Sequence, residues 1–297
     1  MSKSLKYIIL ITLLLITNLW LFFSDSMSRQ DSSSKYFDSE DLSAVSRIQF
    51  DVDNEIIKLE LTGKGWILNE SFKADEGFVN TLLSVLQRVE VGRTFENLDQ
   101  DVIGAVEVEF DFNSRYRFQF ASNPTQTKSY FISNGKTMEV AVPGYRDNVI
   151  DFFTLHPDQW RERLIFDGTW RTIQRVLIES VADESIEIKF DEKFFLVNGN
   201  QPNDSTSVIN YLNQFEYFQA NEMISEGRFP EFDSLSQTIP MAKITLDDIK
   251  SDEPTVLSVF PRIGNQQYHL MVKDGEERMV VDARRVSQIL TGPAGLK

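Results

Sequence analysis

The chain contains no cysteine and only two histidines among 297 residues. The first absence removes disulfide staples, thiolate zinc sites, thiol nucleophiles and the lipid-bearing cysteine of a bacterial lipoprotein. The second leaves little for acid–base chemistry at neutral pH, which most often uses imidazole. His156 precedes Pro157 and His269 lies inside an apolar strand pattern, and both are positions where a structural histidine is usual. No G-x-S-x-G elbow accompanies them, and no H-E-x-x-H, Walker A or G-x-G-x-x-G stretch occurs. Basic residues are also in deficit, 30 against 45 acidic ones, for a formal net charge of −15. A surface of that sign repels phosphate backbones and argues against nucleic-acid binding.

The acidic residues do not assemble into a metal motif. Asp51 and Asp99 open segments that begin like calcium loops, but their twelfth positions are Thr62 and Phe110, so the bidentate glutamate is missing. The second segment has Gly104 at its sixth place and Ile103 where a polar ligand belongs. Asp247 to Pro254 gathers four carboxylates between two strand patterns and reads as a solvated loop. No catalytic residue, cofactor or metal is assigned, and the chain is expected not to be an enzyme. The alternative is an envelope hydrolase or glycan-processing enzyme using carboxylates in a groove between repeats.

What is present at the N-terminus is a long apolar run. From Tyr7 to Phe23 the only polar interruptions are Thr12, Thr17 and Asn18. At about 1.5 Å per residue the run reaches roughly 25 Å, the short end of a membrane-spanning helix. Lys3 and Lys6 precede it and Asp25 follows, so the positive-inside rule leaves residues 1–6 in the cytoplasm. The expectation is an uncleaved anchor over 7–23 in an inner membrane, with the bulk of the chain periplasmic. A cleaved signal peptide would carry a shorter core and an A-x-A-like site, and "FFSDSMSRQ" offers only serines. Residues 24–45 are serine-rich and charged and read as a flexible tether.

Beyond the tether one pattern is written twice. Ile48, Phe50 and Val52 alternate with polar residues, a turn follows at Asp53-Asn54, and Ile57, Leu59 and Leu61 alternate again. After Trp66 and Leu68 comes a helix with Asp75 as its N-cap and an apolar stripe through Phe78, Leu82, Val85, Leu86 and Val89. Further alternating strands follow, with a hairpin turn at Asn134-Gly135. The order returns 128 residues later: Arg175-Val176-Leu177-Ile178 matches Arg47-Ile48-Gln49-Phe50, and Asp204 caps a helix striped by Val208, Tyr211, Leu212, Phe215 and Phe218. Asp274-Gly275 stands in place of Asn134-Gly135. The expected fold is α+β, an N-terminal transmembrane helix and then two tandem repeats of a mostly antiparallel sheet with a helix packed on one face. The repeats span 46–160 and 175–291, joined by a linker over 161–174 and followed by a tail over 292–297.

The join is unusual for so acidic a chain. Trp160, Arg161, Arg163, Phe166, Trp170 and Arg171 crowd into "WRERLIFDGTWRTIQRV", and Arg and Trp are enriched in interface hot spots. They are read as a candidate interaction surface. The competing reading is that the arginines pair with local acids while the aromatics cement the fold.

A one-pass leader, strands of the form "W.LN" and "F.LVN" before striped helices, and "RERLIFDGTWRTIQRVLIE" together resemble a bacterial domain family of unknown function. That family is often found with the auxiliary proteins of gliding-motility-type ABC transporters. The resemblance implies a cell-envelope protein acting through contacts with membrane protein partners, an ABC-2-type permease or auxiliary subunit. It carries over no catalytic residue. The chain is shorter than the larger auxiliary subunit of such systems and has one apolar span instead of two.

Overall fold

The computed structural model describes residues 34–37, 42–96, 100–111, 114–145 and 148–294. They form two compact units. The first holds the chain as far as Lys64 together with Gly77–Leu155; the second holds Gly65–Glu76 together with everything from His156 onward.

In chain order the strands and helices of the first part are β1 (Ser34–Lys35), β2 (Val45–Val52), β3 (Glu55–Thr62), β4 (Gly65–Leu68), β5 (Phe72–Lys73), α1 (Glu76–Leu86), β6 (Glu90–Glu96), β7 (Val102–Phe110), β8 (Arg115–Ser122), β9 (Ser129–Ser133) and β10 (Lys136–Ala141). They continue with β11 (Leu164–Phe166), β12 (Ile173–Ser180), β13 (Ile186–Asp191), β14 (Phe194–Val197), α2 (Ser205–Leu212), β15 (Phe218–Gln219), β16 (Glu222–Ile224), α3 (Pro230–Ser236), β17 (Ala242–Asp248), β18 (Thr255–Val259), β19 (Tyr268–Lys273), β20 (Glu277–Asp282) and α4 (Ala283–Thr291).

Within the first unit the neighbouring strands run β6, β10, β9, β8, β7, β2, β3. Within the second they run β16, β20, β19, β18, β17, β12, β13, with β14 beyond. The two orders correspond strand for strand. The correspondence reaches single residues. Val45 pairs with Phe110 and Arg47 with Glu109, leaving Ser46 as a bulge; Ile173 pairs with Asp248 and Arg175 with Asp247, leaving Gln174 as another. Both bulges lie 128 residues apart, and both explain why the buried positions jump by three before resuming alternation: Val45, Ile48, Phe50 and Ile173, Val176, Ile178. In the first sheet Arg47 lies opposite Glu60 on one side and Glu109 on the other and bonds both, at 2.9 and 2.7 Å. The Arg47 hydrogen bond, helped by Lys58, holds the Glu60 carboxyl below its ordinary range.

Turn chemistry also repeats. Asp53 and Asn54 close β2 onto β3 with both φ angles positive, the geometry that a two-residue hairpin needs, and Asn134-Gly135 does the same. Asp274 and Gly275, also at positive φ, instead open a three-residue turn in which Lys273 faces Glu277. Gly104 is not a calcium-loop glycine: it sits in β7 opposite Val52, where a Cβ would lie 2.5 Å from the Asp51 carbonyl oxygen.

The first unit packs its core with aromatic rings. Phe118 stacks on Phe131 at 4.2 Å, and Phe153 meets Phe50, Phe118 and Phe120 at 5.7, 6.1 and 5.1 Å. Tyr36 and Phe37, expected in a loose tether, belong to this core: β1 pairs with β6, Phe37 is 2% exposed, and the Tyr36 ring meets Phe131 edge-on at 5.0 Å. The second unit departs from a sheet with a helix on one face. Met271, Met279 and Val281 point to a core shared with α2 and α4, whereas Leu270, Val272 and Val280 join Phe232 of α3 in a separate cluster. Successive strand residues face opposite ways, so this sheet is covered on both faces.

Three expectations are therefore corrected. The fold is sheet-rich, with more than twice as much strand as helix, because the helices are short and the ladders long. No helix among the described residues is long and apolar enough to cross a membrane. The longest of these, α1, has 11 residues and so reaches about 17 Å against a hydrocarbon core of about 30 Å. That finding stands against the transmembrane helix, the signal anchor and the single-pass inner-membrane, periplasmic placement; the segment Tyr7–Phe23 itself lies outside the described residues.

Two measurements check this packing. Gly104→Ala is expected to lower stability by about 1–3 kcal/mol in urea unfolding, because the new methyl group meets the Asp51 carbonyl first and then the Phe120 and Val52 side chains at 2.9 Å. Burial pushes the Tyr36 phenol up to about 12, partly offset by a Ser133 hydrogen bond. The unfolded chain releases that proton near 10, so this contribution to stability is whole below pH 10 and lost as pH rises toward 12. Phenolate absorbance against pH should show Tyr36 ionising after the exposed tyrosines.

Candidate interaction site

The residues singled out at the join fall into two groups. A short 3-10 turn, Pro157–Trp160, is capped by His156, whose Nδ1 accepts from the Asp158 amide while the Gln159 side chain accepts from the His156 amide. Proline at the first position pre-sets the turn. The turn drives Trp160 and Asp158 inward, and Trp160 is 0% exposed. The Asp158 carboxylate, fully buried, accepts from the Ser225 hydroxyl at 2.5 Å, the Ser225 amide at 2.9 Å and Arg228 Nη1 at 3.1 Å. Arg161, 3% exposed, sets Nη1 3.6 Å from that carboxylate and Nη2 3.6 Å from Glu277, with its guanidinium 3.9 Å above the Phe72 ring. Arg228 also reaches Glu222 at 2.7 Å. These charges neutralise one another inside the second unit. They form a lock, not a docking surface.

Phe166 is likewise interior, between Phe215 at 5.5 Å and Phe218 at 5.8 Å. So Trp160, Arg161 and Phe166 are not available to a partner in this structure. The reason is local: β11 pairs with β15 and carries Phe166 into the core.

Arg163, Trp170 and Arg171 differ. Arg163 is exposed and 3.8 Å from Asp75. Trp170 packs one face on the core, donates its amide to the Asn213 side chain at 3.4 Å, and carries the Arg171 guanidinium 5.3 Å from its ring. The same loop is tied to the turn after β17. Thr172 donates to Asp248 at 2.7 Å, the Ile249 amide donates to the Thr172 carbonyl at 3.0 Å, and Lys250 donates to the Asp167 carbonyl at 2.7 Å. The Asp167 hydrogen bond raises Lys250 above the ordinary lysine range, and its charge also senses the Tyr217 phenol.

This arrangement displays two side chains that sequence reasoning missed. Ile249 is 65% exposed and Tyr217 is 66% exposed. Tyr217 has φ of 49°, a left-handed conformation unusual for a bulky residue. Phe215 and Phe218 both point into the core, and turning the chain left-handed between them throws Tyr217 outward. Nothing in a one-dimensional pattern marks a positive φ at a tyrosine.

Two cavities are also present among the described residues. One of about 510 Å³ lies beside α1 in the first unit, lined by Asn80, Thr81, Ser84, Arg88, Pro143 and Tyr145. Another of about 370 Å³ lies at the β13–β14 hairpin in the second. Neither gathers three or more metal-ligating side chains, and no such group occurs among the described residues. Compared with family models, with curated proteins and with solved structures, the chain has no match.

Asp158→Ala is expected to cost about 3–5 kcal/mol in chemical unfolding, since it leaves Arg161 buried and Arg228 half-buried beside a missing charge. Arg171→Ala, at the exposed face, should stay within about 0.5 kcal/mol.

Proposed function

We propose that this chain is a non-enzymatic accessory or scaffold protein that works through protein–protein contacts. Its docking face is the exposed loop cluster of Tyr217, Ile249, Trp170 and Arg171. One observation carries the reading: Tyr217 is held in a strained backbone conformation with its ring in water. Such strain persists only where the surrounding structure enforces it, and it concentrates at functional positions. Aromatic and arginine side chains beside an exposed aliphatic make the chemistry of an interface hot spot, where large rigid rings bury area at low entropic cost. The partner class is the one the sequence resemblance implies, an ABC-2-type permease or auxiliary subunit.

The variant Tyr217→Gly separates docking from folding. Glycine accepts a positive φ freely, so thermal unfolding should be unchanged or raised, by up to about 1 kcal/mol of relieved strain. Cross-linking and purification of the full chain from its native cells should recover a transporter subunit with the wild type and lose it with the variant. Recovery of no such subunit by the wild type, or equal recovery by the variant, overturns the proposal.

A further inference from the structure

The segments around α1 and α2 are counterparts. Val79, Leu82, Leu86 and Val89 match Val208, Tyr211, Phe215 and Phe218 at a constant offset of 129, and all are buried. What lies beside each helix differs. β20 passes at once into α4, and the Tyr211 hydroxyl donates to the Ile289 carbonyl at 2.7 Å, so α4 lies against α2. β10 is followed instead by a turn from Val142 to Tyr145, in which the Tyr145 amide donates to the Val142 carbonyl at 3.0 Å. Pro143 and Gly144, the latter at φ of 78°, take the two central places of a type II turn. A turn is slighter than a helix, and the cavity of about 510 Å³ lies between it and α1.

The lining of this cavity is mixed in a particular way. Val85 and Val142 make a floor that is itself buried, so little apolar surface is left to hold a partner's helix. Asn80, Ser84 and Arg88 follow one another along one wall at four-residue steps, and all three are exposed. Thr81 spends its hydroxyl on the Gly77 carbonyl at 2.8 Å, whereas the side chains of Asn80, Ser84 and Arg88 bond to no described residue. Across from them the Tyr145 ring, 39% exposed, stacks on Phe152 with centroids 6.4 Å apart and planes 26° apart. Although the chain has 45 acidic residues, none of the described lining is acidic, and Arg88 is the one charge there.

We propose that this cavity binds a hexuronate, a pyranose ring that carries one carboxylate. The Tyr145 ring offers a flat apolar plate to the C–H face of the sugar, and Phe152 behind it keeps the plate in position. The Asn80 amide and the Ser84 hydroxyl each donate and accept, which is what neighbouring sugar hydroxyls require. The Arg88 guanidinium is a planar fork that matches a carboxylate, and with no second cation in the lining it suits a single negative charge. The volume falls in the range of about 300–1,000 Å³ usual for small-molecule sites. An apolar occupant would cover these polar groups without bonding them, at a cost in free energy. The site lies in the first unit, apart from the Tyr217 face of the second, and either can fail without the other.

The test titrates the full nitrogen-15-labelled chain with sodium D-glucuronate at constant ionic strength and follows the amide resonances. Saturable shifts are expected at Asn80, Ser84, Arg88, Gly144 and Tyr145. D-glucose, which lacks the carboxylate, should bind about tenfold more weakly, the difference one charge-assisted contact makes. Acetyl-glutamate-amide, a carboxylate without a sugar ring, should also bind about tenfold more weakly, since it forgoes the Tyr145 plate. Arg88→Gln should bring glucuronate down to the level of glucose, and Tyr145→Ala should weaken both sugars alike. Both side chains are exposed, so both variants should keep the cooperative thermal unfolding of the wild type. No saturable shift with glucuronate at tens of millimolar, or shifts away from α1 and the Val142–Tyr145 turn, would overturn the proposal. So would glucose or acetyl-glutamate-amide binding as tightly as glucuronate, the latter marking a groove for acidic peptides, or undiminished glucuronate binding by either folded variant.

Discussion

The Asp158 carboxylate has given up water entirely and takes its hydrogen bonds from Ser225 and Arg228 instead. Removing an ion from water costs several kcal/mol, so it stays there only while its donors stay in place. Those donors come from the segment around β16, 67 and 70 residues further along the chain. The 3-10 turn, the β16 edge and the Arg161 side chain above Phe72 are thereby held in one arrangement. The network is not complete: Arg161 Nε and Nη2 are buried without a hydrogen-bond acceptor, and each bears its own desolvation cost. The fold around the join is consequently fixed where its charges are buried.

The two sheets share a strand order and a bulge at the same register, which is more than a common preference for alternation would produce. A bulge shifts every later side chain by one place, so its loss from either sheet would turn a buried row toward water. The second sheet also carries an addition. The segment between β16 and β17 carries α3, pinned by Arg278 to Asp233 at 2.6 Å, and it covers the face that would otherwise leave Leu270, Val272 and Val280 exposed.

Much of this was legible in the amino-acid order. Period-two alternation marked the long strands, Asp204 and the Asn-Gly and Asp-Gly pairs marked a cap and turns, and the 128-residue offset matched arginines that do sit at equivalent register. The join was misread in part because arginine and tryptophan serve a buried lock and an exposed interface equally well. Only the distant partners of Asp158 decide which, and sequence proximity is silent about them. The continuous run His269-Leu270-Met271-Val272 fits a strand buried on both faces, a pattern that the expectation of a helix on one face passed over, and Tyr36-Phe37 fell inside the stretch read as a tether. The membrane placement rested on residues outside the described structure, and the helices that are described are too short to support it.

The central claim is that the Asp158 node organises the second unit, and hydrogen exchange at the Ser225 amide tests it most directly. That amide donates to a carboxylate with no solvent contact, so it should open only with the whole unit and match the slowest amides of β12 and β17. Exchange at the rate of an exposed turn, while Val176 and Ile244 remain protected, would contradict the account.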